Sequence, residues 1–265
     1  MEVPLSHGLA SRAAALATGY LCYRRGSPGR GLALRSLRRA RREHVSTAPH
    51  RTDEGKARLP PTGKGTTSVA TEPHLGGGCS FRDYLDLLDI DDVGHKYYLE
   101  LELEDVLDKD STVNCTAEVL YHLGNKNIAP DVQFTLEGEL KNTDEADNIF
   151  YNRVKSLEKE LVAENIPDSH GNVPPEMEPI HLLAWVASGY VIWQNSTENT
   201  KFQLAQIKHV KQVKRSDEYL EFDYMILLHD MVSQEIIPWQ MTVLWHPQHG
   251  VQVTQDSCQP KHVSG

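Results

Sequence analysis

Apolar positions recur at every second residue from Tyr97 to Leu103, with Tyr97, Leu99, Leu101 and Leu103 on one side and Glu100 and Glu102 on the other. A period of two marks a half-buried β-strand. Val132, Phe134 and Leu136 repeat the pattern within Asp131 to Leu140. Two other stretches follow a helical period instead: Leu9, Ala13, Leu16, Ala17 and Tyr20, and later Ile180, Leu183, Ala184, Ala187 and Val191. Each set lines one face of a helix. Pro174-Pro175 suits the first turn of the later one. A third helix is predicted between them. Asn142 and Glu145 have capping-box spacing, acidic residues fill the first turn, and Phe150, Val154, Leu157 and Leu161 form a stripe to be buried against both flanking parts.

The pattern is written twice. "ATGYLCY" at Ala17 to Tyr23 returns as "ASGYVIW" at Ala187 to Trp193, "AEVLYH" at Ala117 to His122 as "MTVLWH" at Met241 to His246, and "YLELELEDVL" from Tyr98 as "YLEFDYMILL" from Tyr219. The step from Ala17 to Ala187 is 170 residues, that from Val119 to Val243 is 124, and that from Tyr98 to Tyr219 is 121. The first copy therefore carries about 46 extra residues between its helix and Tyr98. Ser46 to Ser80 is rich in Pro, Gly, Ser and Thr and poor in aliphatics, which predicts a disordered insertion over 46–93. Each copy then reads as one helix followed by strands, an α+β layer architecture built twice. The predicted units are 1–141, a linking helix and segment over 142–172, and 173–265. Gly19 and Gly189 occupy matched helix positions, each costing about 1 kcal/mol against Ala. They predict that a sheet backbone comes close to each helix there.

A length of 265 residues accommodates two domains of ordinary size. The net charge of −10 argues against general nucleic-acid binding. The charge is uneven, since residues 3–42 hold nine Arg and no Asp or Glu. The stretch Arg35 to Arg42 reads as an exposed strand face, with an anion-binding or docking patch as the alternative. Cys22, Cys79, Cys115 and Cys258 stand far apart in no ligand spacing, so free thiols and no metal or other cofactor are expected. The apolar run Ala13 to Cys22 is too short to span a bilayer and meets Arg24-Arg25. A cytoplasmic monomer is the expectation.

No HExxH, GxSxG or phosphate-loop motif occurs, and His181 on the later helix reads as a core-edge residue, so no catalytic residues are expected and the chain is not read as an enzyme. One segment looks built for contact. In "LHDMVSQEIIPW", Leu228 to Trp239, a strand is predicted to end near Leu228 and another to resume near Ile236, leaving His229 to Glu235 as a loop. Met231 and Val232 stand where an ordinary turn prefers Gly, Asn or Asp.

"NCTAEVLY", "GNVPPEM", "LAWVASGYVIWQNSTE" and "SQEIIPWQMTVLWHPQ" resemble the latexin family of zinc-carboxypeptidase inhibitors. The resemblance runs to about Glu43 and again from about Gly94 to Pro260. It implies two cystatin-like domains, each a helix packed on a curved antiparallel sheet, joined by a linking helix. It also implies a partner, a metallocarboxypeptidase of the A/B family, whose active-site opening would receive His229, Asp230, Met231, Val232, Ser233, Gln234 and Glu235. His229 and Gln234 would make the directed hydrogen bonds, and His170, Gly171, Asn172 and Val173 would add a second contact. The Ser46 to Ser80 tract has no counterpart in the family pattern, and Leu34 to Glu43 is richer in Arg than that pattern. Two alternatives stand beside this reading. One is a cystatin-like inhibitor of papain-like cysteine proteases, for which Pro238-Trp239 is present but "KQVKR" at Lys211 to Arg215 lacks the turn glycine. The other is a non-inhibitory interaction protein.

Overall fold

The structure, a computed structural model, describes residues 8–46, 92–124 and 128–259. The chain begins with helix α1 (Gly8–Arg25) and continues through strands β1 (Leu32–Ser46), β2 (Asp92–Asp105), β3 (Asp108–His122) and β4 (Asp131–Glu137). These four strands pair in chain order as an antiparallel sheet. Helix α2 (Asp144–Lys155) and strand β5 (Val162–Ile166) follow, then a 3-10 turn at Pro175–Met177 and helix α3 (Glu178–Asn195). Strands β6 (Phe202–Val213), β7 (Leu220–Asp230), β8 (Glu235–His246) and β9 (Gly250–Cys258) complete a second antiparallel sheet in which β5 is an edge. Helix followed by a four-stranded meander thus occurs twice, as the repeated phrases predict. The residues 47–91 of the predicted insertion lie outside the described residues; its ends do not form loop, because Ser46 closes β1 and Asp92 and Val93 open β2.

Both sheets bury the faces their alternation marks. Tyr97, Leu99, Leu101 and Leu103 of β2 are buried, as are Leu220, Phe222, Tyr224, Ile226 and Leu228 of β7. Ala13, Leu16 and Ala17 of α1 and Ile180, Leu183, Ala184, Ala187 and Val191 of α3 face the same core. The helices also meet each other, and this corrects the reading of the two glycines. A Cβ on Gly189 would lie 2.3 Å from the carbonyl oxygen of Gly19, so the backbone that comes close is that of the other helix, not a sheet. Tyr20 packs on Trp193 with ring centroids 4.8 Å apart, and Tyr23 on Tyr190 at 5.4 Å.

Helix α2 is shorter than its apolar stripe predicts. It stops at Lys155, and the backbone of Leu161 exchanges hydrogen bonds with Gln212: Gln212 N donates to Leu161 O at 2.8 Å and Leu161 N to Gln212 Oε1 at 3.2 Å. Val162–Ile166 instead pairs with β6 as an edge strand, so tertiary pairing overrides the helical period. The predicted capping box is also replaced. Asn142 Oδ1 accepts from Asp144 N at 2.7 Å, and Thr143 holds the N-cap position with its hydroxyl donating to the buried Asp147 at 2.8 Å. Asp147 Oδ1 in turn accepts from Gly29 N at 2.9 Å, and Phe150 packs on Trp245 at 5.5 Å. Through these two residues α2 touches the α1–β1 turn and the second sheet.

The arginines of β1 do lie on an exposed strand, and they have partners. Arg38 reaches Glu102 at 3.1 Å, Arg39 reaches Glu100 at 3.7 Å, and the Arg41 guanidinium sits 4.2 Å over the Tyr98 ring. Such exposed pairs contribute little to stability. Charge on a long edge strand, together with the register shifts at Leu34/Ser36 and Leu37/Arg39, discourages pairing with another chain. Near the far end of β1, Glu198 from the segment after α3 binds the first sheet: it pairs with Arg42 and His95, each at 2.8 Å, and accepts from the Tyr97 hydroxyl. Trp193 Nε1 adds a hydrogen bond to Pro130 O at 2.7 Å.

Candidate functional site: the β7–β8 turn

The loop predicted over His229 to Glu235 is tighter than expected. His229 and Asp230 are the last residues of β7, Glu235 is the first of β8, and the register Asp230↔Glu235 leaves a four-residue connection, Met231 to Gln234. The turn closes because Gln234 adopts φ +62° and its N–H donates to Asp230 O at 2.8 Å. A left-handed residue near the end of a hairpin loop lets the strands keep their twist, at a cost for any side chain other than Gly.

Asp230 holds this shape from inside. It is 6% exposed, and its Oδ1 accepts from Val232 N and from Lys201 N, both at 3.1 Å, while Oδ2 accepts from the Ser233 hydroxyl at 2.8 Å. Burial alone raises the pKa of this carboxyl, but the N–H of Lys201, the N–H of Val232 and the hydroxyl of Ser233 outweigh it and hold it below the ordinary aspartate value. Met231 N donates to Lys201 O at 2.9 Å, tying the turn to the start of β6, and Gln234 Nε2 donates to Met231 O at 2.8 Å. Asp230 is therefore a shaping residue buried under the turn, whereas the expected role for it was direct contact.

Half of what the turn presents outward is apolar. Met231 is 40% exposed, Val232 43% and Ile236 45%, and the three lie within six residues of one another. Ile236 escaped the sequence reading, although "EIIPW" carried the signal: two adjacent isoleucines in a strand must face opposite sides, so one faces out. Ser233, Gln234 and Glu235 are exposed beside them, and His229 is half-buried on the outer face of β7.

The second predicted contact forms a turn of its own. Asp168 Oδ1 accepts from His170 N at 2.8 Å and from Asn172 N at 2.9 Å, Gly171 takes φ +84°, and His170, Gly171 and Asn172 are exposed with Val173 half-buried. Hydrogen bonds from the Asn172 and His170 N–H groups lower the Asp168 pKa. Because Ile166 pairs with Ile207 while Phe202 pairs with Asp230, the chain after β5 runs toward the end of the sheet that carries the β7–β8 turn.

The pieces of a cysteine-protease wedge are placed differently. Lys211 to Val213 lie inside β6, Gln212 is buried and hydrogen-bonded to Leu161, and Pro238-Trp239 lie inside β8 opposite Leu227 and Ile226. Lys214 and Arg215, the end of the "KQVKR" segment, lie in the β6–β7 connection, and none of the others forms a hairpin tip. Cys22, Cys115 and Cys258 are free thiols, and burial pushes that of Cys22 up to about 11 against the lowering effect of the Leu32 N–H and Trp185. A thiol held protonated in this way is a poor nucleophile. Among the described residues no helix is long and apolar enough to cross a membrane.

Comparison with known proteins gives a consistent picture. Residues 86–263 match the Latexin family model. Mouse Latexin is 43% identical over 262 residues, spanning 98% of each chain, and human Latexin 44% identical over 264 residues, spanning 99% of each. Human Retinoic acid receptor responder protein 1 is 33% identical over 156 residues, which is 57% of this chain and 52% of that protein.

Proposed function

The chain belongs to the latexin family, and on that premise we propose that it is a protein inhibitor of zinc metallocarboxypeptidases of the A/B type. The observation that carries this reading is the β7–β8 turn: a pre-shaped protrusion with Met231, Val232 and Ile236 exposed and a buried carboxylate holding its backbone. An inhibitor of this kind gains affinity by not having to order its contact segment on binding. Met231 and Val232 would enter the funnel of the enzyme, Gln234 and His229 would supply directed hydrogen bonds, Ser233 and Glu235 would border the contact, and the His170 to Val173 turn would add an edge. A carboxypeptidase requires a free C-terminal carboxylate, and an internal hairpin presents none. The turn would therefore occupy the opening without being cut.

The same reading assigns the layout. Two cystatin-like units over 1–141 and 173–265 would be joined through 142–172, with α2 as the linking helix, and the second unit would carry the inhibitory turn. The repeated order of helix and meander supports it.

The test is a titration of carboxypeptidase A with the purified chain and a small C-terminal substrate, run beside papain. Stoichiometric inhibition that weakens in Met231→Ala and Gln234→Ala, with papain unaffected, is the expected result. Full carboxypeptidase A and B activity at micromolar chain would overturn the proposal.

A further inference from the structure

Beside the crossing of α1 and α3, with Gly19 and Gly189 both on its wall, lies a half-open cavity of about 310 Å³. Its walls include Gly19, Trp185, Ile192, Phe202 and Leu204, drawn from both helices and from β6. The two hydroxyls on the wall add little polarity, because each is turned to its own helix: Thr18 Oγ1 donates to Ala14 O at 2.9 Å and Ser188 Oγ to Trp185 O at 2.7 Å. Lys201 and Met231 also border the cavity.

Lys201 is the informative member. Its ammonium donates to the neutral Ser11 hydroxyl at 2.9 Å, and among the described residues it pairs with no carboxylate. A cation that pairs with no carboxylate among the described residues, set beside an apolar slot, is complementary to an amphiphile with an anionic head, which would gain a charge-assisted hydrogen bond while its tail leaves water. Ligand cavities begin at roughly 300 Å³, so this one suits a short chain and not a bulky ring system.

We propose that the cavity between α1 and α3 binds a medium-chain aliphatic carboxylate, its tail against Trp185 and Phe202 and its carboxylate on Lys201 Nζ. The proposal is independent of carboxypeptidase inhibition. Met231 connects the two sites physically, since it borders the cavity and also belongs to the β7–β8 turn.

Decanoate is the probe, added to the full chain and followed by calorimetry, by Trp fluorescence and by the methyl NMR signal of Met231. Saturable one-to-one binding that shifts the Met231 methyl is expected. Lys201→Gln, which keeps a donor for Ser11, should weaken decanoate by about tenfold or more and leave decanol unchanged. Gly19→Leu, placed where a Cβ meets no atom within 4 Å, should abolish binding of both while the thermal midpoint is retained. Absence of saturable binding at millimolar decanoate overturns the proposal, as does binding that leaves the Met231 methyl unmoved. Equal binding of decanoate and decylamine does so as well.

Discussion

The hydroxyl of Ser233 donates to the buried carboxylate of Asp230 at 2.8 Å, so a residue under the turn determines how the residues above it are displayed. Asp230→Ala removes three accepting contacts and leaves the Val232 and Lys201 N–H groups to find other partners. The expected cost is about 1–3 kcal/mol. Inhibition should fall further than the thermal shift accounts for, because the shape of the turn is lost along with stability. Asp230→Asn, which retains one carbonyl acceptor, should fall between the two proteins in a paired measurement of thermal midpoint and inhibition constant.

Gln234 separates stability from contact. Its φ of +62° is one a glycine adopts without strain, and Gln234→Gly exchanges that relief of about 1 kcal/mol for added freedom in the unfolded chain. The thermal midpoint should therefore scarcely move. Inhibition should weaken, since the amide that binds Met231 O is gone. Gln234→Val should instead lower the midpoint, a β-branched residue being poorly tolerated at positive φ. Equal midpoints for the Gly and Val variants would contradict the assigned backbone.

Glu198 gives the junction between the halves a pH dependence. Burial raises its pKa, but hydrogen bonds from Tyr97 and His95 and the charges of His95 and Arg42 outweigh that, and the net displacement is below the ordinary value of 4.5. A carboxyl depressed in the folded state contributes stability above its unfolded pKa and loses it as pH falls through the folded one. The thermal midpoint of Glu198→Gln should accordingly trail that of the native chain at neutral pH. The gap should narrow below about pH 4.5, and a gap that widened in acid would reverse the assignment.

The matched glycines should respond with opposite signs. Gly189→Ala places a methyl 2.3 Å from a backbone oxygen that has no rotamer by which to withdraw, and should destabilise by about 1–3 kcal/mol. Gly19→Ala meets nothing within 4 Å and should gain up to about 1 kcal/mol from helix propensity. Chemical denaturation of the two variants is the check.

Alternation and repetition were enough to read the two sheets, whose strands bury one face, and both long helices, which one apolar stripe reveals although each is buried on several sides between its sheet and the other helix. The end of α2 was not legible. Leu157 and Leu161 continue a helical spacing, and what overrides it is a hydrogen-bonding partner, Gln212, that lies 51 residues beyond Leu161. The candidate turn was found from Met231 and Val232, whereas the part played by Asp230 was missed: the period of two through Leu220, Phe222, Tyr224, Ile226 and Leu228 carries it onto the inner face, and its polarity masked that signal. Lys201 carried no signal at all, since its importance arises from what the fold places next to it.

The contacts between α1 and α3 have one more implication. Tyr20 meets Trp193 while Tyr190 meets Tyr23, and a step of 170 residues carries Tyr20 onto Tyr190 and Tyr23 onto Trp193. Both aromatic contacts therefore join exchanged positions of the repeat, although the crossing itself is unequal, since a Cβ at Gly189 would strike Gly19 O at 2.3 Å and one at Gly19 would meet nothing within 4 Å. Each of the two helices thus covers aromatic rings of the other, rings that a lone helix and meander would leave in water. Carrying both copies of the pattern in one polypeptide makes that contact an intramolecular event at high effective concentration. It also frees the surfaces on either side to diverge, so that one unit can present an apolar turn while the other accepts a long insertion.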